Sequence, residues 1–534
     1  MQIVNKISRL FTINSPLEIR KLNTQRWQQP LGRDTGIKIY NCVSRKMVPL
    51  ILPNENFATW YTCGPTVYDA SHLGHASCYV KLDIMQRILR QHFGINLVTA
   101  MNITDIDDKI IAKSQEIGKD WRELAKSYEM QFWNDLRNLN VAEPNVKIRV
   151  TDNITKIIAF IEKILQKGNA YVGKDSSVYF DVNKFPNYGK LLRLNLDEPS
   201  AIADIDIKAA SADFALWKAR KTVNEPYWES PWGPGRPGWH IECSVLASMI
   251  FGGSIDFHAG GLDLKFPHHE NEEAQSCVFH GTEQWINYWI HTGHLNVKGQ
   301  TEKMSKSVKN TISIEEMLSK YTSDDFRMAC VLSNYRNSVE YSDELLKNAS
   351  NTLQKFKSFK GDCQAYLNGQ KTGAIFDSHS IFQQIKDASV KVDECFKQDF
   401  DTARSIGVLS ELISNVSRCI NASQNEGNNS ISTSSLDVIA AADNFVAKML
   451  QNFGFQFVEN VHSIESSSNL DIELNVFVDD ILRTRKDIRD KAVAQKNKDL
   501  FQICDDLRNC FKQHGIQIRD HNQGSSWSFS KNKQ

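Results

Sequence analysis

Residues 61–75 read Tyr-Thr-Cys-Gly-Pro-Thr-Val-Tyr-Asp-Ala-Ser-His-Leu-Gly-His, and the rest of the chain is organised around them. Residues 57–62, which lead into this stretch, are apolar and aromatic, as in a buried parallel strand. Gly64 and Pro65 end that strand, and apolar residues recur at helical spacing from Ala76 onward. The stretch therefore predicts a strand, a tight loop and a helix start, a unit whose backbone N–H groups and helix dipole bind anions.

Two histidines and a glycine mark the predicted helix start. His72 and His75 are three residues apart, so both side chains on an opening helical turn can reach the same phosphate. Gly74 lets a ligand approach the backbone closely. Taken alone, the pattern is better explained by two surface histidines beside a turn, because it is short and fixes no metal geometry.

The same strand–helix alternation continues on both sides of this stretch. Buried strands are predicted at 57–62, 96–101, 255–258 and 288–291, and helices at 76–92, 118–140, 151–168 and 240–250. We therefore expect an α/β fold with a doubly wound, Rossmann-like parallel sheet that binds ligands at the carboxyl ends of its strands. A β-rich insertion follows residue 168, and the pattern from about 313 to 458 is almost entirely helical.

Composition limits the classes of protein to consider. At 534 residues the chain should form about three or four domains, and 41% hydrophobic and 24% charged residues are ordinary for a globular protein. The net charge of zero restricts any nucleic-acid site to local patches. Eleven cysteines without a regular framework favour a reducing compartment. No apolar run approaches the roughly 18 residues that span a bilayer, so we expect no membrane segment.

The first 35 residues differ from the rest of the chain. Glu18 and Asp34 are their only acidic residues, set against a larger number of basic ones. The basic residues are Lys6, Arg9, Arg20, Lys21, Arg26 and Arg33. This composition is typical of a mitochondrial transit peptide and lacks the compact apolar core of a secretory signal. An ordinary disordered N-terminus is the alternative.

A basic loop far downstream completes a recognisable pair of motifs. Lys303-Met-Ser-Lys-Ser307 offers two ammonium groups and two hydroxyls that can close over a triphosphate. It lies more than 200 residues after His72-Leu-Gly-His75, at the other end of the α/β pattern. Together the two motifs resemble the signature of class I aminoacyl-tRNA synthetases.

Four further segments narrow the resemblance to the cysteinyl-tRNA synthetases. They are Tyr61–Asp69, Asn102–Asp108, Gly238-Trp-His-Ile-Glu-Cys-Ser244 and Phe266-Pro-His-His-Glu-Asn-Glu272. With the N-terminal leader, the chain looks most like the mitochondrial form. The resemblance implies catalytic roles for His72, His75, Lys303 and Lys306, ATP binding by these residues with Gly74, Ser305 and Ser307, and a cysteine pocket of Thr104, Trp239 and His258.

The resemblance also implies one zinc ion per chain, held by Cys63, Cys243, His268 and Glu272. Two thiolates, an imidazole and a carboxylate suit Zn²⁺, and the last two residues are i, i+4 on one helix face. Spacing alone would not reveal the site, because the two cysteines are 180 residues apart. Without the resemblance, the same residues are explained by a closed structural zinc site, or by two core cysteines and a helix-capping carboxylate. The zinc would select the cysteine thiol over the serine hydroxyl.

The implied activity is ligation of L-cysteine to tRNA-Cys in the mitochondrial matrix, with ATP and Mg²⁺, by a monomer. The expected organisation is 1–35 leader, 36–140 and 237–312 catalytic halves, 141–236 connective insertion, 313–345 stem contact, 346–462 helical bundle and 470–534 anticodon binding. The basic residues of 483–498 would contact tRNA, although a solvated helix also explains them. A ligase that joins activated cysteine to a small amine and a non-catalytic tRNA- or zinc-binding relative are the rival hypotheses.

Overall fold

The computed structural model describes residues 27–192, 208–297, 299, 304, 311–371, 376–421, 433–459, 469–520 and 525–529. Residues 1–26 of the predicted leader lie outside these ranges. Four of the predicted nucleotide-binding residues also lie outside them, namely Lys303, Ser305, Lys306 and Ser307.

Strands and helices are numbered in chain order. The strands are β1 (Arg33–Asn41), β2 (Lys46–Leu52), β3 (Ala58–Thr62), β4 (Leu97–Ile103), β5 (Val146–Arg149), β6 (Ala170–Val172), β7 (Val178–Phe180), β8 (Phe214–Ala219), β9 (Gly235–Pro237), β10 (Ile255–Gly261), β11 (Ile286–Thr292), β12 (Leu295–Val297), β13 (Val339–Tyr341), β14 (Ile516–Asp520) and β15 (Ser525–Phe529). The helices are α1 (Leu73–Arg87), α2 (Asp108–Ile117), α3 (Trp121–Asn138), α4 (Ile154–Gln166), α5 (Trp239–Phe251), α6 (Glu270–His280), α7 (Ile314–Lys320), α8 (Ser323–Val331), α9 (Asp343–Leu367), α10 (Ser378–Lys397), α11 (Thr402–Asn421), α12 (Thr433–Asn452), α13 (Gln456–Glu459), α14 (Asn469–Gln495) and α15 (Lys498–Gln513).

The central sheet has the strand order β11-β10-β3-β4-β5, and every neighbouring pair in it is parallel. The chain builds β3, β4 and β5 outward in one direction, then returns to add β10 and β11 on the other side of β3. The strand order therefore reverses between β3 and β10, which is where open α/β sheets bind their ligands. The predicted doubly wound parallel sheet is confirmed.

Burial explains why β3 lies in the middle of this sheet. Four of its five residues are buried, and the Trp60 ring lies 5.0 Å from that of Phe257 on β10. The register pairs Thr62 with Ala259, and the Ala259 carbonyl then accepts a hydrogen bond from the N–H of Cys63 at 3.0 Å. This hydrogen bond holds Cys63 between β3 and β10, where the strand order reverses.

One strand of the central sheet lies within 141–236, the range predicted for the connective insertion. This strand is β5, whose register against β4 pairs Ala100 with Val146 and Ile103 with Arg149. β5 is a four-residue edge strand with alternating charged residues, so it lacks the apolar run that marks a buried strand. The strands that follow between residues 170 and 237 form a separate antiparallel sheet, β6-β7-β8-β9.

The predicted helical C-terminal region is confirmed, with one addition. Helices α9 to α12 pack around apolar side chains that continue the core of the central sheet. After α15 the chain forms an antiparallel hairpin of β14 and β15, which the sequence analysis did not include. No helix in the described part of the chain is both long and apolar enough to cross a membrane.

Candidate functional site

A cavity of about 290 Å³ opens at the strand-order reversal, beyond the carboxyl ends of β3, β4 and β10. Most of the predicted site residues that the structure describes line it, namely Cys63, His72, Gly74, His75, Thr104, Trp239, Cys243 and His268. The fold therefore brings the predicted phosphate-binding residues, pocket residues and metal ligands into one space.

His72 is the N-cap residue of α1, and together with His75 it forms a capping box at the start of the helix. The Nδ1 atom of His72 accepts a hydrogen bond from the Gly74 N–H at 3.1 Å, and Nδ1 of His75 accepts one from the His72 N–H at 3.3 Å. A ring nitrogen that accepts a hydrogen bond carries no proton, so each neutral ring is protonated at Nε2. The cap thus fixes both imidazoles in the tautomer whose Nε2–H can donate to a phosphate.

The absence of a side chain at Gly74 is required by this cap. A Cβ atom there would lie 2.8 Å from Cε1 of His72 and would displace the capping ring. The same Cβ would be 3.7 Å from the Cβ of Met304, which is buried and lines the cavity. Met304, the described residue of the Lys303–Ser307 segment, therefore lies against the histidine loop.

The four predicted metal ligands meet beside this cavity, although they come from three parts of the chain. Cys63 follows β3, Cys243 lies on α5, and His268 and Glu272 flank the start of α6. The two sulfur atoms are 3.6 Å apart, and Sγ of Cys63 is 3.5 Å from Oε1 of Glu272. That carboxylate oxygen is 2.9 Å from Nε2 of His268. All four residues are buried, and their donor atoms lie within 4.8 Å of one another.

This donor set fits a tetrahedral zinc ion. Two thiolates at about 2.3 Å from a tetrahedral zinc would be about 3.8 Å apart, close to the separation of the two sulfurs. Nδ1 of His268 lies 3.0 Å from Nδ1 of His240, a contact that orients the ring so that Nε2 faces the other donors.

Burial makes the cluster costly to ionise without a cation. It raises the pKa of the Cys63 thiol and of the Glu272 carboxyl well above their ordinary values. Burial opposes ionisation of Cys243 as well, but the hydrogen bond from the Cys63 thiol and the interactions with His268 together outweigh it and lower the pKa of Cys243. A bound cation would favour the thiolate and carboxylate forms, because it supplies the opposite charge that the buried cluster lacks.

The three predicted pocket residues occupy different depths. Thr104 and Trp239 line the cavity, and the Trp239 ring stacks on His268 with centroids 4.3 Å apart. His258 is fully buried behind the cavity, where its Nε2 lies 2.8 Å from Oε2 of Glu272 and 4.0 Å from Sγ of Cys63. His258 therefore lies against the donor cluster and not in the cavity wall.

The structure adds residues to the site that sequence reasoning missed. Nε2 of His269 is 3.4 Å from Sγ of Cys63, and its Nδ1 is 2.9 Å from Nε2 of His291. Cys63, His258, His269 and Glu272 accordingly form a second group of donors within 4.8 Å of one another. The two adjacent histidines in Phe266-Pro-His-His were the sequence feature that could have indicated a second imidazole at the site. Cys63 and Glu272 belong to both groups, so a cation in either group would contact them.

Comparisons with known proteins agree with this geometry. A family model described as tRNA synthetases class I (C) catalytic domain matches residues 51–351. A probable cysteine--tRNA ligase, mitochondrial, of Xenopus tropicalis is 41% identical over 95% of this chain and 92% of its own length. A cytoplasmic cysteine--tRNA ligase of Dictyostelium discoideum is 36% identical over 94% and 79%, respectively. The methionyl-tRNA synthetase of Mycobacterium tuberculosis, solved with methionyl-adenylate, shares the fold, with a TM-score of 0.58 and 14% identity over 77% of this chain and 94% of that one.

Proposed function

We propose a function from one premise, that the chain belongs to the class I tRNA synthetase (C) family. It is a cysteine--tRNA ligase, a class I aminoacyl-tRNA synthetase. The proposed reaction activates L-cysteine with ATP and transfers it to the 3′ end of tRNA-Cys. The observation that carries the choice of cysteine is the buried donor cluster of Cys63, Cys243, His268 and Glu272 beside the cavity of the histidine pair.

In the first step, a carboxylate oxygen of L-cysteine attacks the α-phosphorus of ATP. The bond from that phosphorus to the β-phosphate oxygen breaks, which yields cysteinyl-adenylate and pyrophosphate. The Nε2–H groups of His72 and His75 donate to phosphate oxygens as charge develops on them. Lys303 and Lys306 are proposed to neutralise the departing pyrophosphate, while Mg²⁺ accompanies ATP.

In the second step, a hydroxyl of the terminal tRNA ribose attacks the carbonyl carbon of the adenylate, and AMP leaves as that carbon–oxygen bond breaks. We assign tRNA binding to the helical region and to exposed basic side chains of α14, such as Arg483 and Lys491. Arg485, in contrast, is buried and pairs with Asp520, so it stabilises this region and does not face RNA.

The donor cluster is proposed to hold one zinc ion through Cys63, Cys243, His268 and Glu272. Bound zinc prefers a thiolate to a hydroxyl and so would favour cysteine over serine. A ten-thousand-fold preference requires about 5.5 kcal/mol. Around the cluster, Trp239 stacks on His268 and holds that ring in place. His258 keeps the Glu272 carboxylate oriented through its Nε2.

We place the reaction in the mitochondrial matrix and propose a monomer. The name of the Xenopus relative includes "mitochondrial", and the first 35 residues are basic and poor in acids. The proposed domain order keeps two catalytic halves around the insertion, followed by the stem-contact, bundle and anticodon-binding regions.

Cysteine transfer by the full chain tests the proposal directly. With ATP and L-cysteine, the protein should charge a mitochondrial tRNA-Cys transcript, and charging should be lost with tRNA-Ser or with L-serine. Cysteine-dependent pyrophosphate release without charged tRNA would instead favour the small-amine ligase. No cysteine-dependent pyrophosphate release would contradict the proposed activity altogether.

A further inference from the structure

We infer that Glu270 is a positioning residue for the metal centre, because the backbone of residues 189–191 holds its carboxyl group and thereby fixes the rotation of α6, the helix that carries Glu272. This inference rests on the proposed function, since it concerns the donor cluster that is proposed to hold zinc and to select cysteine. Glu270 belongs to neither group of donors and does not line the cavity, so it acts through Glu272.

The carboxyl group of Glu270 accepts three consecutive backbone N–H groups from a segment within the predicted insertion. Its Oε1 accepts the N–H of Gly189 at 2.8 Å and that of Lys190 at 3.2 Å, and its Oε2 accepts the N–H of Leu191 at 2.8 Å. A peptide N–H can only donate, so the direction of all three hydrogen bonds is the same whether or not the carboxyl group is ionised. Glu270 is fully buried, so water does not compete for these hydrogen bonds.

The conformation of residue 189 allows the three N–H groups to converge. Gly189 has a φ of 91°, in the region of backbone conformation that favours glycine. A turn with such a residue lets successive N–H groups point into one concave anion site, called a nest. Residues 189–191 form such a nest, and Glu270 occupies it.

A second acidic residue strengthens the attachment of α6. Glu273 lies three residues after Glu270, on the same side of the helix, and forms a buried ion pair with the ammonium group of Lys190. The Glu273 carboxylate also accepts the N–H groups of Trp285 and Ile286, at 3.1 and 3.3 Å, where the chain enters β11. One side of α6 is therefore bound both to the nest and to the central sheet.

Helical geometry connects this attachment to the predicted metal ligand. Successive residues of an α-helix are about 100° apart around its axis, so Glu272 points about 160° away from Glu270. The Glu272 carboxylate accordingly faces the donor cluster, where its oxygens lie 2.8 Å from Nε2 of His258 and 2.9 Å from Nε2 of His268. A helix that is held on one side cannot turn about its axis, so the nest determines where the Glu272 carboxylate lies.

The donor cluster itself cannot supply this restraint. The Glu272 carboxylate contacts Cys63, His258 and His268 there, and all three are candidate ligands. When a cation binds, these groups would exchange contacts with one another for contacts with the cation. The nest lies outside the cluster, so its hydrogen bonds are the same with and without a cation. Partners of this kind, which orient a ligand without binding the metal, determine metal affinity together with the ligands.

The test measures the zinc affinity of the full chain by competition with a chelator. Glu270→Gln keeps the size of the side chain but replaces one acceptor oxygen with an NH₂ group, which opposes the N–H donors of the nest. Zinc binding should weaken about 10- to 100-fold, the usual effect of changing a residue that orients a metal ligand. In ATP–pyrophosphate exchange, KM for L-cysteine should rise while KM for ATP stays the same. Unchanged zinc affinity in this variant would overturn the inference.

Asp213→Asn is the matched control, because it makes the same chemical change at a buried carboxylate within the predicted insertion. Asp213 is 2% exposed and accepts the backbone N–H groups of Val182 and Ala210, each at 3.0 Å. These partners lie outside α6, so the control should lower the melting temperature but leave zinc affinity unchanged. Equal weakening of zinc binding in Glu270→Gln and Asp213→Asn would overturn the inference, since general destabilisation would then explain both.

A third variant approaches the same contact from the nest. Gly189→Ala places a methyl group on a residue with a φ of 91°, which strains the nest and leaves the sequence of α6 unchanged. This variant should also weaken zinc binding more than Asp213→Asn does, and it decides the outcome if Glu270→Gln does not fold. Zinc affinity equal to that of Asp213→Asn would overturn the inference.

The zinc measurements separate this inference from the proposed function. Failure of the unsubstituted enzyme to exchange pyrophosphate with L-cysteine would refute the proposed function, whereas the comparison of zinc affinities would still decide the role of Glu270. An unsubstituted chain that bound no zinc would overturn the inference itself.

Discussion

Replacing Arg327 with leucine is expected to destabilise the packing of the helical region against the central sheet. Arg327, on α8, is fully buried and donates from Nη1 to Oδ2 of Asp83 on α1 at 2.6 Å. It also donates to the carbonyls of residues 139 and 140 at 2.9 and 2.7 Å, and to the Phe453 carbonyl at 3.0 Å. One side chain thus connects four separate segments, including the helix that begins after His72.

The magnitude follows from these contacts. The variant loses three hydrogen bonds to carbonyl groups, each worth about 1 kcal/mol net. It also loses the buried ion pair, whose complete disruption would cost about 3 to 5 kcal/mol. Asp83 keeps a second partner in the variant, because Nε of Arg87 is 2.9 Å from its Oδ2. The free energy lost with the Arg327–Asp83 ion pair is therefore smaller than for a complete disruption. We expect the free energy of local opening to fall by about 4 kcal/mol.

Amide hydrogen exchange measures local opening without requiring that the whole chain unfold in one step. A fall of about 4 kcal/mol should speed exchange several hundredfold in the segments that Arg327 holds, residues 136–142 and 450–455. Arg149→Leu is the control, since Arg149 is half-exposed and its pair with Glu129 should contribute no more than about 1 kcal/mol. Equal exchange in the two variants would refute the reasoning.

Three further outcomes test the site and the C-terminal region. His72→Asn keeps a capping acceptor for α1 but removes the Nε2–H donor. ATP–pyrophosphate exchange should fall at least about a hundredfold, while the melting temperature stays the same. Near-normal exchange would contradict the role of that donor. Cys63→Ser should lose bound zinc, measured by atomic absorption, more completely than His269→Gln, and equal retention would contradict the assigned ligands. Burial opposes ionisation of Asp520, but hydrogen bonds from Arg485 and Ser525 and the charges of Arg485 and Arg508 together hold its pKa well below the usual range. The stabilising effect of this carboxylate is therefore present above about pH 4 and is lost as pH falls. Asp520→Asn should therefore weaken the pH dependence of exchange in the β14–β15 hairpin between about pH 4 and 2, and an unchanged dependence would contradict it.

Local signals explain which elements the sequence could predict. The strand, loop and helix around residues 58–87 follow from apolar runs, Gly64 and Pro65, and helical periodicity, so their prediction needed no distant contact. β5 and the β14–β15 hairpin are short strands with polar or charged residues. Tertiary pairing rather than sequence pattern makes them strands, and this is why the sequence analysis missed both.

The donor cluster marks the limit of sequence reasoning at the site. Cys63 and Cys243 are separated by 180 residues, and only the order of strands in the sheet brings their sulfur atoms to 3.6 Å. The spacing of the two residues in the sequence therefore does not predict their contact. The resemblance to a known family supplied that pairing. His269 was missed for a different reason, since its neighbour His268 already accounted for the imidazole that a four-ligand zinc site requires.

The cap of α1 determines which ring nitrogen of each histidine carries the proton before any ligand is bound. Nδ1 of His72 and Nδ1 of His75 both accept backbone N–H groups at the start of the helix. Each neutral ring is therefore protonated at Nε2, which is the tautomer that can donate to a phosphate oxygen. Because the two capping donors are backbone groups of the same turn, the tautomer is set by the fold and needs no rearrangement when a nucleotide enters the cavity.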